Sequence, residues 1–362
     1  MSECLRTRGF LPCEDPDTEM RVGASFAMLD ELAQELPSLL MEPDCRSYLA
    51  GQMIPDWPYE TIPNRLVPQA RLYYLRLGFL ASGYINQIGQ PACHRLPANI
   101  ARPLARICHL LHRPPILSYD GYVLYNWKRF DRSQPIGLGN IDTLQNFVHL
   151  YDEHWFILVH VEIEAVASRI LDAILELEET EGFGDETRVN AALTQIADAL
   201  DQLSAVLKRM PEKMSDDLFY SKVHPYIGRF QDVEFEDVDS ARLDYQGEPG
   251  AQSTIMPTLT GLMKVPHELN RLTRHLHDMR EYMPEAHRRW VEYVDTLPDL
   301  KPLADAECWN RVLEGMASFR EVHYHWAIKY IARRSPDPHD TGGSPYLKPL
   351  KFLIDETRAH MK

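Results

Sequence analysis

The stretch that most constrains the fold runs from Arg311 to Ile331, RVLEGMASFREVHYHWAIKYI. Its large apolar residues recur at steps of three and four, the spacing of one face of an α-helix, and they are Val312, Met316, Phe319, Trp326 and Tyr330. His323 occupies the one gap in this series, whereas His325 projects from another side. A buried imidazole needs a partner, because an unpaired polar group in a core costs about 1–3 kcal/mol. The spacing leaves two interpretations of His323 open: an ordinary core histidine, or a ligand such as that of a haem iron.

Helical periodicity extends over most of the chain and predicts an all-α fold class. The longest such runs are 69–87, 142–177, 189–209 and 255–276. The first hundred residues are rich in proline and predict short helices joined by loops. We therefore expect a smaller, mainly helical N-terminal domain over 1–120 and a large all-helical domain over 121–362.

Charge and cysteine usage exclude several classes of protein. The formal net charge of −15 argues against nucleic acid as a partner, because a phosphate backbone attracts a basic surface. No run of 18 apolar residues and no signal peptide are present, so we expect no membrane span and a cytoplasmic location. The six cysteines form no C-x-x-C pair, which predicts free thiols rather than a disulfide framework or a zinc or iron–sulfur site.

Two further stretches are candidates for chemistry. His160 lies among apolar residues of a helical run, and Glu164 follows it by four positions, so the pair is either a hydrogen-bonded core pair or part of a site. The aromatic segment from Phe219 to Tyr226 suits either core packing or the wall of an aromatic-ligand pocket. The loop 333–346 contains proline and paired glycines, which fits either a lid or a mobile connector.

A series of short motifs carries a resemblance that runs nearly end to end. In chain order they are Gly9-Phe10-Leu11-Pro12, Arg113-Pro114-Pro115-Ile116-Leu117, Trp155-Phe156, Phe219-Tyr220, Ala251-Gln252-Ser253, Asp278-Met279-Arg280-Glu281-Tyr282-Met283-Pro284, Phe319-Arg320 with His323, Lys329-Tyr330-Ile331 and Thr341-Gly342-Gly343. With these motifs the chain resembles the indoleamine 2,3-dioxygenase family of haem proteins, which belongs with the tryptophan 2,3-dioxygenases.

The resemblance implies a large helical domain that holds haem b, active in the ferrous form, with O₂ as co-substrate and a small aromatic indole as substrate. It implies that His323 is the proximal iron ligand and that Arg320 pairs with a haem propionate or a nearby acid. His160 takes the catalytic position beside the indole. The substrate-binding positions that it implies are Tyr119, Tyr122, Val123, Phe156, Ile157, Phe219, Tyr220, His224, Thr341 and Gly342.

Two positions depart from the family pattern. His160 stands where many members have serine, which is similar to the tryptophan 2,3-dioxygenase branch, and a neutral imidazole can accept the indole N–H. His224 stands where the family has the arginine that binds the substrate carboxylate, and imidazole cannot reproduce its bidentate fork. The family resemblance as a whole implies cleavage of the indole C2–C3 bond of L-tryptophan or of an indoleamine. With L-tryptophan the product is N-formylkynurenine. The alternatives are an oxygenase for an indole without the amino-acid carboxylate and a non-catalytic haem-binding protein.

Overall fold

The computed structural model describes residues 2–238, 243–247, 250–268, 270–334 and 347–362. Helices dominate the chain and the strands are short, so the all-α prediction is confirmed. The helices are α1 (Ser2–Arg8), α2 (Ala27–Leu39), α3 (Cys45–Ala50), α4 (Val67–Ile85), α5 (Ala98–Leu110), α6 (Tyr151–Val166), α7 (Ser168–Glu179), α8 (Glu186–Leu207), α9 (Asp216–Leu218), α10 (Ile255–Leu262), α11 (Arg271–Asp278), α12 (Glu285–Thr296), α13 (Ala306–Ala327) and α14 (Leu347–Ala359). The strands are β1 (Arg95–Leu96), β2 (Lys128–Arg129), β3 (Ile141–Asp142), β4 (Phe230–Phe235) and β5 (Leu243–Tyr245).

Within the described residues the strands form two small sheets. In the first sheet β4 lies in the middle, parallel to β1 and antiparallel to β5, with Leu96 opposite Phe235. In the second, β2 and β3 pair antiparallel. These few paired residues join loops to each other, and the fold class remains all-α.

The helix that bears His323 lies at the centre of the helical packing. α13 packs along both α8 and α14. The apolar face expected from its sequence is confirmed at Val312 and Met316, which are fully buried, and at Tyr330, which is nearly so. Phe319 and Trp326 of the same face are partly buried. α8 begins where the Asp185 side chain accepts a hydrogen bond from the Arg188 amide, an N-cap that satisfies a free helix-end donor.

Two runs that the sequence predicts as single helices are broken. The run 142–177 begins as a helix only at Tyr151 and breaks at Ala167, where the backbone of Gly9 packs against it. Gly9 has φ +65°, and a Cβ placed there would lie 1.9 Å from the carbonyl oxygen of Glu164, so only glycine fits. Insertion of another segment against a helix ladder is a common cause of a break. The run 255–276 is interrupted between α10 and α11, where Pro266 cannot continue a helix.

The prediction that all six cysteines are free thiols is wrong for two of them. Cys4 and Cys13 form a disulfide that spans nine residues and encloses the Gly9-Phe10-Leu11-Pro12 motif. The sequence gives no sign of this, because the two cysteines become neighbours only when the chain turns at Gly9. Cys45, Cys93, Cys108 and Cys308 are free.

The buried apolar side chains form one core cluster that extends from Leu5 to Tyr330. The boundary between domains 1–120 and 121–362 stays a prediction. Among the described residues no helix is both long and apolar enough to cross a membrane. The cytoplasmic location also stays a prediction.

Candidate functional site

A cavity of about 440 Å³ lies among α6, α10, α11, α13 and α14. Its wall is mostly apolar, with side chains that include Phe156, Ile163, Leu207, Met210, Met214, Phe219, Ile227, Ile255, Met256, Phe319, Trp326 and Tyr330. The polar groups along the wall include His160, Ser253, Thr260, His267, Thr273, His275, His277, Arg280, Arg320 and His323. An apolar pocket with a few converging polar groups is the usual form of a small-molecule or cofactor site.

His323 presents its imidazole to this cavity from α13. Its ring makes no hydrogen bond to any described residue and is accessible from the cavity, and desolvation by the surrounding protein lowers its pKa below the ordinary value. The ring is therefore neutral at pH 7, which is the form that binds a metal ion. His325, two residues on, is exposed and its Nδ1 bonds to the carbonyl of Glu321.

His160 lines the same cavity from α6. Its Nδ1 lies 2.7 Å from the carbonyl oxygen of Phe156, so this nitrogen carries the proton and Nε2 keeps a free lone pair. Burial, with a smaller contribution from the nearby His323, lowers the pKa of His160 to about 4. The Phe156 ring lies 4.5 Å from the imidazole, centroid to centroid, and the Tyr119 ring meets it edge-on at 6.1 Å. His160 is thus a fixed, neutral hydrogen-bond acceptor beside aromatic surfaces.

Glu164 does not pair with His160, so that interpretation of the sequence is wrong. Instead its Oε1 accepts hydrogen bonds from the hydroxyls of Tyr119 and Ser253, each at 2.7 Å. The side chain is fully buried, its Oε2 has no hydrogen-bond partner among the described residues, and burial raises its pKa to about 7. Glu164 therefore fixes two groups of the cavity wall that come from distant parts of the sequence.

Three short π-helical turns border the cavity. They comprise Asp120–Leu124, which directly follows Tyr119, then Phe219–Val223, and Ile328–Ala332, which continues α13. A π turn widens a helix by one residue and is frequent at functional sites. Here the turns place Tyr119, Phe219 and Tyr330 on the cavity wall. Helical periodicity at 3.6 residues per turn does not predict them.

Arg320 supplies a buried positive charge one turn before His323. Its guanidinium donates to the Thr357 hydroxyl, to the carbonyl of Leu353 at 3.4 Å and to the Thr260 hydroxyl at 3.3 Å. It forms no ion pair with a carboxylate of the described residues, and burial lowers its pKa to about 10. The carboxylate of Glu356 offsets this charge through space without a direct ion pair, so the guanidinium is suited to direct contact with an anionic ligand.

The residues that the resemblance assigns to the substrate separate into groups. Tyr119, Phe156 and Phe219 line the cavity with His160, whereas Tyr122, Val123 and Ile157 are buried in the core and do not belong to its wall. Tyr220 and His224 stack on each other at 5.8 Å, outside the wall. Thr341 and Gly342 lie outside the described residues. The roles of all these positions stay predictions.

His224 lies behind the aromatic wall. Its ring meets Phe219 edge-on at 6.2 Å, and its Nε2 is buried with no hydrogen-bond partner in the described part of the chain. Burial lowers the pKa of His224 to about 4. At neutral pH it therefore carries no charge that attracts a carboxylate.

Several groups of the site have only weak sequence signals. Glu164 is four residues from His160 and Ser253 lies in a recognised motif, but their contact joins residues 89 positions apart. Two further groups have no sequence signal at all: Thr260 lies near the end of α10, and His267 lies in the loop after it.

The donor set fits the haem b that the resemblance implies. Haem needs one protein ligand, and His323 offers a neutral imidazole without another partner. Arg320 offers a propionate a guanidinium that has no direct ion pair among the described residues, and most of the remaining wall is apolar. Within the described residues no cluster of three or more His, Cys, Asp or Glu could hold a bare metal ion. The cavity thus suits a single-histidine haem site better than a multidentate metal site.

Comparison with known proteins gives a consistent result. The family model described as "Indoleamine 2,3-dioxygenase" matches residues 3–351. The indoleamine 2,3-dioxygenase of Saccharomyces cerevisiae is 29% identical over 95% of this chain and 82% of its own. Indoleamine 2,3-dioxygenase 1 of Rattus norvegicus is 27% identical over 80% of this chain and 79% of its own. A protein named myoglobin from Haliotis madaka is 26% identical over 80% of this chain and 81% of its own.

Proposed function

Because the chain belongs to the indoleamine 2,3-dioxygenase family, whose haem-dependent enzymes use haem b and O₂ on indoles, we propose that it cleaves the C2–C3 bond of L-tryptophan or a related indoleamine. With tryptophan the product is N-formylkynurenine. The observation that carries the proposal is that His160, a neutral acceptor, lines one aromatic cavity together with the unpaired imidazole of His323.

Each group of the cavity has a distinct role in this proposal. His323 holds the iron, and Arg320 receives a propionate. When bound, the haem supplies the ferrous iron at which O₂ reacts. His160 accepts the indole N–H at Nε2 and so fixes the orientation of the ring. Tyr119, Phe156 and Phe219 enclose the ring on apolar surface and exclude water.

A second candidate substrate is an indole without the amino-acid carboxylate. The observation that favours it is the neutral state of His224, whose Nε2 is buried and unpartnered. A lost bidentate contact to a buried carboxylate weakens binding by on the order of 2–5 kcal/mol. A third candidate, a haem-binding protein that does not turn over indoles, is supported by the similarity to a myoglobin.

The test compares substrates that differ in one group. The reduced haem protein is exposed to O₂ with L-tryptophan, with tryptamine (which lacks the carboxylate) and with indole, and products are identified by mass. The proposal predicts ring-opened products that gain two oxygen atoms, with L-tryptophan turned over at least as well as tryptamine. Preference for tryptamine or indole favours the second candidate. Stable O₂ binding without product from any of the three would reject the catalytic proposal.

A further inference from the structure

His267 lies in the loop between α10 and α11 and lines the cavity close to Arg320. Its Nδ1 lies 2.6 Å from Oε2 of Glu356 on α14, and Oε1 of the same carboxylate accepts the amide of Glu268 at 3.2 Å. Both side chains are about 15% exposed. The imidazole is therefore held in one orientation with its Nδ1 proton committed to Glu356.

The other nitrogen of this ring has nothing to bind. Nε2 of His267 is buried and has no hydrogen-bond partner among the described residues. The guanidinium of Arg320, which forms no direct ion pair with a carboxylate of the described residues, donates to the Thr260 hydroxyl on the same wall. An unpartnered imidazole Nε2 and a guanidinium without a direct ion pair, both at the wall of one cavity, indicate a place for a carboxylate.

A count of local charge shows what the arrival of that carboxylate requires. Arg320 contributes +1, Glu356 contributes −1 and neutral His267 contributes nothing, so the group is balanced before a ligand binds. One added carboxylate leaves an uncompensated negative charge in a buried place, which is costly. A proton on Nε2 of His267 restores the balance and converts that nitrogen into a donor toward the ligand.

We propose that His267, oriented by Glu356, is a second carboxylate-binding group of the cavity, which together with Arg320 receives a haem propionate and takes up a proton as it does so. This inference rests on the haem dependence of the family and not on the identity of the indole substrate. It assigns to His267 and Glu356 a function in retention of the cofactor.

The titration of His267 is consistent with this assignment. Burial lowers its pKa, the hydrogen bond to Glu356 opposes that effect and the charge of Arg320 lowers the pKa further. The ring is therefore neutral before the ligand arrives, and an adjacent carboxylate raises its pKa. Arg280, on the same wall, pairs with Asp295 at 3.3 Å. The other titratable side chains of the wall are His160, His275, His277, His323, Tyr119 and Tyr330.

The test measures haem release rather than turnover. The holoprotein is mixed with an excess of an apo-haem acceptor protein, and the rate of haem transfer is followed optically between pH 6 and pH 8. The wild-type protein is expected to hold haem more tightly at pH 6, with release up to about tenfold faster for each pH unit once His267 loses its proton. The variant His267→Gln is expected to release haem roughly tenfold faster at pH 6 and to lose this pH dependence.

Three comparisons separate this assignment from a structural effect. Protein reconstituted with haem dimethyl ester, which has no carboxylates, is expected to show equal release from wild type and His267→Gln. Glu356→Gln keeps the acceptor for Nδ1 but removes a negative charge, so it is expected to hold haem tightly without pH dependence. His109→Gln, which alters an exposed histidine on α5 that does not line the cavity, is expected to behave as wild type.

If His267→Gln releases haem b and haem dimethyl ester faster by the same factor, the proposal is overturned. Such a result indicates a general loss of packing, which affects both ligands alike, rather than the loss of a contact to a carboxylate. Unchanged haem release combined with a raised KM for L-tryptophan but not for tryptamine would also overturn it, since the carboxylate bound at His267 would then belong to the substrate. Indole turnover by the wild-type protein is measured separately, so failure of this inference is distinct from failure of the proposed reaction.

Discussion

Replacement of His224 by phenylalanine is expected to make the protein less sensitive to acid. The His224 ring stacks on Tyr220 at 5.8 Å with an interplanar angle of 18°, and its Nε2 is buried without a hydrogen-bond partner among the described residues. Phenylalanine keeps the flat ring and removes the unsatisfied nitrogen. The free energy of unfolding at pH 7.5 is therefore expected to rise by about 1 kcal/mol.

The pH dependence follows from the pKa of this group. Burial lowers the pKa of His224 from 6.5 to about 4. The unfolded chain thus takes up a proton below pH 6.5 while the folded state stays neutral, so stability is complete above pH 6.5 and is lost as the pH falls toward 4. For one such group, the loss between pH 7.5 and pH 5 is about 2 kcal/mol. The His224→Phe variant lacks this contribution.

The assay is urea unfolding followed by circular dichroism at pH 7.5 and pH 5 for wild type and variant. The difference in unfolding free energy between the two pH values is expected to be about 2 kcal/mol smaller in His224→Phe. The matched control is His109→Gln, which changes an exposed histidine on α5 and is expected to leave the pH dependence of wild type intact. An unchanged pH dependence in His224→Phe would show that His224 is already charged in the folded protein, and the neutral-site argument would then fail.

Three further variants test other parts of the site and the fold. His160→Ala is expected to lose discrimination between indole and 1-methylindole in kcat/KM, since Nε2 no longer accepts the indole N–H, and retained discrimination would count against that role. Burial raises the pKa of Glu164 to about 7, so its contribution to stability is present below pH 4.5 and lost as the pH rises through 7. Glu164→Gln keeps an acceptor for Tyr119 and Ser253 and is expected to be more stable than wild type at pH 8 by on the order of 3 kcal/mol. Equal pH profiles of the two proteins in urea unfolding would refute this. The double variant Cys4→Ser with Cys13→Ser is expected to lose about 2–3 kcal/mol of unfolding free energy, because the disulfide closes a nine-residue separation, and no difference from wild type under oxidising conditions would contradict the bond.

Local periodicity predicts those features that depend on neighbours in the sequence. The α13 face was predictable because Val312, Met316 and Tyr330 follow the helical repeat. The break at Ala167 was not, because its cause is Gly9, more than 150 positions earlier in the chain. Likewise, the Cys4–Cys13 disulfide depends on a tertiary turn rather than on a motif.

In the candidate site, too, only the features that depend on local sequence were predictable. Periodicity placed His323 and His160 on buried faces, and the family resemblance supplied their roles. Neither predicted that Glu164 binds Tyr119 and Ser253 rather than its helical neighbour His160, because that choice depends on segments brought together by folding. His267 was missed for a related reason. It lies in a loop with no repeat, and its unpaired Nε2 becomes visible only when its neighbours are known.

The central claim is that His323 holds the haem iron in this cavity, and haem binding by His323→Ala tests it most directly. The matched control is His325→Ala, which changes an exposed imidazole two residues away on the same helix. His323→Ala is expected to purify without a normal Soret band and to retain added haem only when free imidazole is supplied, whereas His325→Ala is expected to match wild type. A full Soret band and retained haem in His323→Ala would contradict the account.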